Sequence, residues 1–210
     1  MSPSPAKPVT EVYEALMNEI VMRTELILAA ISPNHPVTGF LKSDYEVAAL
    51  NFRKIAELIV YANLVGHERE YGALHASYPF EWRMGQIIKK IKAINPQYYP
   101  KATVQGVDKN GQKAAHDVPV GQWLTEDELI EMYDSCANLL HQKNPFQPDI
   151  NPADYTEHFP VWIDKIIKLL NHHIVMLPNG TDSIWCIMNP ENTFKPKAYI
   201  FTTIPPAAGI

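Results

Sequence analysis

The stretch HIVMLPNGTDSIWCIMNPENTFKPKAYIFTT, residues 173–203, decides the fold class of this chain. It contains three short runs rich in β-branched and aromatic residues, which span 173–177, 183–188 and 198–203. Pro-Asn-Gly at 178–180 and Asn-Pro-Glu-Asn at 189–192 separate the runs. Runs of this length between turn-forming residues are typical of strands joined by tight turns. The stretch therefore predicts a three-stranded antiparallel meander.

The residues before this meander carry apolar side chains at helical spacing. The periodicity predicts helices over 11–31, 43–66, about 79–94, 125–143 and about 152–170, the last with an interruption at Pro160. Ser43 with Glu46, and Thr125 with Glu128, have the spacing of capping boxes, and Thr10 is a candidate cap for the first helix. The sequence therefore predicts about five helices.

The predicted architecture is an α+β fold, a helix-dominated bundle followed by the C-terminal three-stranded antiparallel meander. We expect a single domain over residues 1–210. In this division 1–8 are a loose leader, 9–172 are the bundle, and 173–204 are the sheet. Residues 102–120 interrupt the helical pattern with a polar hairpin, whose turn contains Asn110-Gly111. We interpret this hairpin as an excursion from the bundle.

Composition excludes several classes of protein. The net charge of -5 argues against a surface that is basic all over, and no apolar run approaches the roughly 20 residues of a membrane span. Cys136 and Cys186 have no metal-site spacing, and no phosphate-binding glycine motif is present. We expect a soluble, cytoplasmic protein of bacterial type that uses no cofactor and no metal.

The best nucleic-acid signal lies in residues 83–101, which hold basic side chains and two adjacent tyrosines but no acidic residue. Cations can contact phosphates while aromatic rings stack on bases. The alternative is that the lysines occupy the wet face of an amphipathic helix. The candidate nucleic-acid-binding residues are Arg83, Lys89, Lys90, Lys92, Tyr98, Tyr99 and Lys101.

Two strings, FRKIAELI at 52–59 and LLHQKNPF at 139–146, resemble two helices of the HEPN superfamily of bacterial and archaeal helical bundles. The resemblance implies a small, often dimeric bundle of the kind found in toxin, phage-defence and RNA-processing proteins. Some members cut RNA without a metal, with an arginine four to six residues before a histidine. Here those positions before His141 hold Ala137, Cys136 and Ser135, so the arginine is missing.

Cleaving a phosphodiester requires a cation as well as a group that moves a proton. If His141 is the acid or base, Arg53 or Lys143 would have to supply the cation. The alternative for His141 is a structural residue at a helix C-terminus, where the negative end of the helix dipole favours it. Arg53 and Glu57 are spaced as an ordinary ion pair on a solvated helix face.

Three functional hypotheses follow. The first is a non-catalytic or degenerate HEPN-like module that binds RNA or a protein partner in bacterial defence or stress response, and forms a homodimer. The second is a metal-independent endoribonuclease that uses His141. The third is a protein-interaction scaffold that uses the edge of the C-terminal sheet.

Overall fold

The computed structural model describes residues 7–32, 37–75, 78–107, 109–141, 146, 155–190, 193 and 195–202. These residues form six α-helices, a short 3₁₀-helix at Tyr78–Phe80 and five strands. The helices are α1 Val9–Ala30, α2 Leu41–Gly66, α3 Glu68–Leu74, α4 Met84–Ile94, α5 Glu126–Leu140 and α6 His158–Leu170. The strands are β1 Lys101–Val107, β2 Lys113–Asp117, β3 His172–Met176, β4 Asp182–Ile187 and β5 Lys197–Thr202. The predicted α+β, helix-dominated fold is confirmed.

The strands form one antiparallel sheet in the order β2-β1-β3-β4-β5. The C-terminal meander β3-β4-β5 and the hairpin β1-β2 are both present, with Gly180 and Gly111 at positive φ in their turns. The prediction of a three-stranded sheet with a separate hairpin was wrong, because β1 pairs with β3 through Ala102 opposite His173. Ala102 and Thr103, near the start of the hairpin, are buried in the sheet, whereas most of the remaining residues of β1 are exposed.

Helix α2 is the central helix of the core. It packs against α1 along most of its length and also contacts α4 and α5. Phe52 of α2 lies between Phe159 and Trp162 of α6, with ring centres 5.1 and 5.7 Å away. The bundle contacts the sheet through α1, which packs against β5, and through α6, which packs against β1 and β3.

Helix starts followed the predicted signals in one case and departed from them in others. Thr125 and Glu128 form the predicted capping box at the start of α5. The box predicted at Ser43 was wrong, because α2 begins at Leu41 and Ser43 lies inside its first turn. Thr10 likewise lies inside α1, whose cap position is Pro8. The predicted start of the last helix, near residue 152, falls outside the described residues.

Candidate nucleic-acid interface

Helix α4 is strongly amphipathic and presents most of its basic residues to solvent. Ile87 and Ile91 are fully buried, whereas Lys89 and Lys92 are exposed. The helical periodicity of the isoleucines produces this division, since they recur on one side of the helix. The pattern fits both interpretations of the segment, a wet helix face and a phosphate-binding face.

Several of the candidate cations already have acidic partners. Lys92 contacts Glu126 at 2.9 Å, and Lys101 contacts Asp117 at 2.7 Å. Lys90 donates to Glu81. Among the described residues, Arg83 and Lys89 form no ion pair, and both side chains are exposed. They are therefore the members of the predicted set whose charge is most available to a phosphate.

The burial of Tyr98 does not favour the predicted stacking on bases, and Tyr99 is half-buried. Tyr98 is 0% exposed, and the Tyr99 hydroxyl donates to the Leu124 carbonyl at 3.1 Å. Burial also raises the pKa of both phenols. Both rings pack into the core because the chain must pass from the end of α4 to β1, where apolar side chains fill the junction.

Two aromatic residues missed as site candidates lie at the other end of α4. Phe80 is 85% exposed and Trp82 is 68% exposed. The sequence predicts Trp82 within the third helix, but α4 begins at Met84, so Trp82 lies before its first turn. The Arg83 guanidinium carbon is 5.4 Å from the centre of the Trp82 ring, a cation–π distance. The alternation of aromatic and charged residues at 80–83 was the available signal.

These residues form a cleft of about 200 Å³, which we call the Trp82 cleft, lined by Phe80, Glu81, Trp82, Arg83, Gln86 and Lys90. Glu81 accepts hydrogen bonds from Lys90 and, at 2.5 Å, from the Tyr71 hydroxyl. The bond from Lys90, and then that from Tyr71, lowers the pKa of Glu81. Glu81 therefore stays ionised at neutral pH and offsets the charge of Lys90. The hydrogen bonds of Glu81 to Lys90 and Tyr71 hold one wall of the cleft in place. Trp82 and Arg83 remain exposed at the surface.

The residues proposed for RNA cleavage are not brought together. His141 follows the last residue of α5 and is exposed, and its backbone N–H donates to the Ala137 carbonyl. The Arg53 side chain instead lies 4.3 Å from the centre of the Tyr133 ring and donates to the Tyr133 hydroxyl at 2.7 Å. Tyr133 is eight residues before His141, about 12 Å along the helix axis. Lys143 lies outside the described residues.

Within the described residues, the buried titratable groups do not assemble into an alternative active site. Burial raises the pKa of the Cys136 thiol to about 12, so it holds its proton at neutral pH. His172 and His173 lie on opposite sides of β3, since His173 bonds to Tyr13 of α1 and His172 bonds to Thr103 and Trp185. Within the described part of the chain, no cluster of His, Cys, Asp and Glu has the geometry to hold a metal ion.

Comparison of the chain with protein-family models, with curated proteins and with solved structures found no match. Among the helices of the described residues, none combines the length and apolar composition needed to cross a membrane.

Proposed function

We propose that this protein is a non-catalytic module that binds single-stranded RNA at the Trp82 cleft. The observation that carries the proposal is the contact of a 68% exposed indole ring with Arg83, which forms no ion pair within the described residues and lies at the start of a basic helix. RNA is the partner that the HEPN-like resemblance implies. In the proposed complex Trp82 and Phe80 stack on bases, and Arg83 and Lys89 contact phosphates.

The local charge supports an anionic ligand despite the net charge of -5. From Arg83 to the end of α4 the chain carries four basic residues and no acidic one. Glu81, just before it, is hydrogen-bonded to Lys90 and Tyr71 and so presents less free charge to a ligand. A phosphate near Arg83 and Lys89 would therefore meet a locally positive surface, and salt would weaken its binding.

The separation of Arg53 from His141 supports a binding role over a cleaving one. A developing negative charge on phosphorus needs a cation next to the proton-transfer group. Arg53 is hydrogen-bonded to Tyr133, two helical turns away from His141. We expect purified protein to leave RNA intact, as measured by gel electrophoresis of a labelled strand. Cleavage that disappears in the His141→Ala variant would contradict the non-catalytic role.

Binding of labelled single-stranded RNA, followed by fluorescence anisotropy, tests the Trp82 cleft. Trp82→Ala should weaken binding by about 1 to 3 kcal/mol, the usual contribution of one stacked base. The matched control is Phe40→Ala, because Phe40 is also a strongly exposed aromatic that precedes the first turn of a helix. Equal affinities of the two variants would overturn the proposed site.

The phosphate contact has its own test. Arg83→Ala should lower affinity and make the dependence of affinity on salt concentration less steep, because fewer counterions are released on binding. Lys42→Ala removes an exposed cation from the first turn of α2 and serves as the control. A salt dependence that is the same in both variants would show that Arg83 contacts no phosphate.

A further inference from the structure

One side of the sheet faces the helices. We call the other side the open face. Residues paired across neighbouring antiparallel strands share a side. Ala102, His173, Cys186 and Ala198 form one such row, and all four are buried. The Tyr13 hydroxyl of α1 bonds to His173 at 2.7 Å. This row therefore belongs to the side that the helices cover.

The neighbouring row lies on the open face and runs Lys101, Ile174, Trp185 and Tyr199 across four strands. Phe201 follows Tyr199 by two residues on β5 and so shares its side. Tyr199 is 48% exposed and Phe201 is 44% exposed, whereas Trp185 is half-buried. Large apolar rings thus remain accessible on the side of the sheet away from the helices.

These three aromatic side chains form a continuous patch. The centre of the Phe201 ring lies 4.9 Å from that of Trp185 and 6.3 Å from that of Tyr199. Both distances fall within the usual range for contacting aromatic rings. The patch therefore offers three neighbouring ring surfaces on which adjacent bases can stack.

Buried polar residues fix the orientation of Trp185. Its indole N–H donates to His172 Nε2 at 2.8 Å, so His172 Nδ1 carries the proton and donates to Thr103 Oγ1 at 2.7 Å. His172 and Thr103 are both buried beneath the ring. Holding the ring in advance reduces the conformational entropy that a ligand would otherwise have to offset.

The charges of the open face suit a polyanion. On β1, β3, β4 and β5 the charged residues of this side are Lys101 and Lys197, and none is acidic. Asp117 pairs with Lys101, and Glu14 pairs with Lys197 at 3.4 Å. Exposed ion pairs contribute little to stability, so phosphates can compete for both lysines. Asp117 of β2 lies opposite Thr103 on this same side, so each lysine is balanced by one carboxylate and a phosphate would bind it by displacing that partner.

We infer that the open face is a stacking surface for the unpaired bases of a single-stranded nucleic acid, separate from the Trp82 cleft. Aromatic rings on an exposed sheet bind splayed bases by stacking, with phosphates held by lysines around them. A duplex hides its bases, so this surface selects single strands. The inference stands on the sheet residues alone, whereas the proposed function stands on the start of α4.

Tryptophan fluorescence can report on the open face alone in a Trp82→Ala background. Trp123 and Trp162 are 8% and 9% exposed, so Trp185 is then the most accessible of the three remaining tryptophans. Single-stranded RNA should quench this fluorescence, and duplex RNA of the same sequence should do so far less. Adding Phe201→Ala should weaken binding by about ten-fold.

Ile200→Ala is the matched control, because Ile200 is 50% exposed on the same strand but pairs with Ile184 on the other side of the sheet. Circular dichroism of each variant verifies that it is folded. Lack of quenching in the Trp82→Ala background, or equal effects of Phe201→Ala and Ile200→Ala, overturns the inference and leaves the Trp82 cleft untouched. A Phe201→Ala loss together with an unaffected Trp82→Ala protein supports the open face and overturns the proposed site.

Discussion

Two buried asparagines differ in whether their side-chain amides are hydrogen-bonded. The Asn95 side chain donates to His67 Nε2 and to the Met176 carbonyl, both at 2.9 Å, and thereby joins α3 and α4 to β3. Asn63 is fully buried on α2, and in the described part of the chain neither of its side-chain polar atoms has a hydrogen-bond partner. A buried amide without a partner costs free energy, whereas a bonded one does not.

The contrast predicts stability changes of opposite sign. Asn63→Leu should raise the free energy of unfolding by about 1 kcal/mol, because it removes an unsatisfied amide and keeps the branched shape of the side chain. Asn95→Leu should lower it by about 2 kcal/mol, because His67 and the Met176 carbonyl lose their donor. Urea denaturation of both variants measures the difference. A destabilised Asn63→Leu protein would indicate that the amide has a partner after all.

Trp82 illustrates what single-residue reasoning from sequence could not find. Periodicity includes it in the third predicted helix, whose apolar residues Ile87 and Ile91 are buried. The start of α4 at Met84, beyond the short helix at Tyr78–Phe80, leaves the ring at the surface instead. The expectation for Tyr98 differs in the opposite direction, since the ring was expected at the surface and is buried. Burial depends on contacts between segments that are distant in sequence.

At the scale of elements, the two predicted capping boxes differ, because the box at Thr125 forms and the box at Ser43 does not. The backbone N–H of Thr125 donates to Glu128 at 2.9 Å, and the Glu128 N–H donates back to Thr125 Oγ1. Glu128 also accepts from Lys165, which connects α5 to α6. In the first turn of α2, Asp44 instead accepts hydrogen bonds from the backbone N–H and the hydroxyl of Thr38. The helix begins before Ser43, which therefore lies inside it.

This difference predicts that only one of two similar substitutions matters. Thr125→Ala should lower the free energy of unfolding by about 1 kcal/mol, since it removes the cap of α5. Ser43→Ala should change it by less than about 0.5 kcal/mol, because alanine is a good helix former inside a first turn. Thermal and urea denaturation of the pair measure both values. Equal losses would mean that Ser43 also caps a helix.

At the scale of the whole molecule, sequence alone was sufficient for the fold class and for the order of most elements. Local turn residues and periodicity predict each strand of the meander and five of the six described α-helices, and the short helix α3 is the one not among them. The joining of the hairpin to the sheet depends instead on Ala102 and Thr103 meeting β3, about 70 residues later in the chain. The open face has the same origin, since Lys101, Trp185 and Tyr199 become neighbours only through strand pairing.

Three buried histidines give the whole molecule a predictable response to acid. Burial lowers the pKa of His67, His172 and His173, that of His173 to about 4. His173 is therefore neutral in the folded protein, with Nδ1 donating to the Leu170 carbonyl and Nε2 accepting from Tyr13. The unfolded chain binds protons below about pH 6.5, where the folded protein does not. The contribution of these histidines to the free energy of unfolding is therefore fully present above about pH 6.5 and is lost as the pH decreases toward 4.

We expect His173 to lower the free energy of unfolding by about 1 kcal/mol for each unit that the pH falls between 6 and 5, and His67 and His172 to act in the same direction. Glu81 and Glu128, whose carboxyl pKa values are lowered from 4.5, lose their contribution at lower pH and do not affect this window. The double variant Tyr13→Phe/His173→Leu replaces the bonded pair with apolar groups and should reduce the slope by that amount, whatever its stability at pH 7. Urea denaturation at several pH values measures both slopes. An unchanged slope would mean that His173 is protonated, or accessible to water, in the native protein.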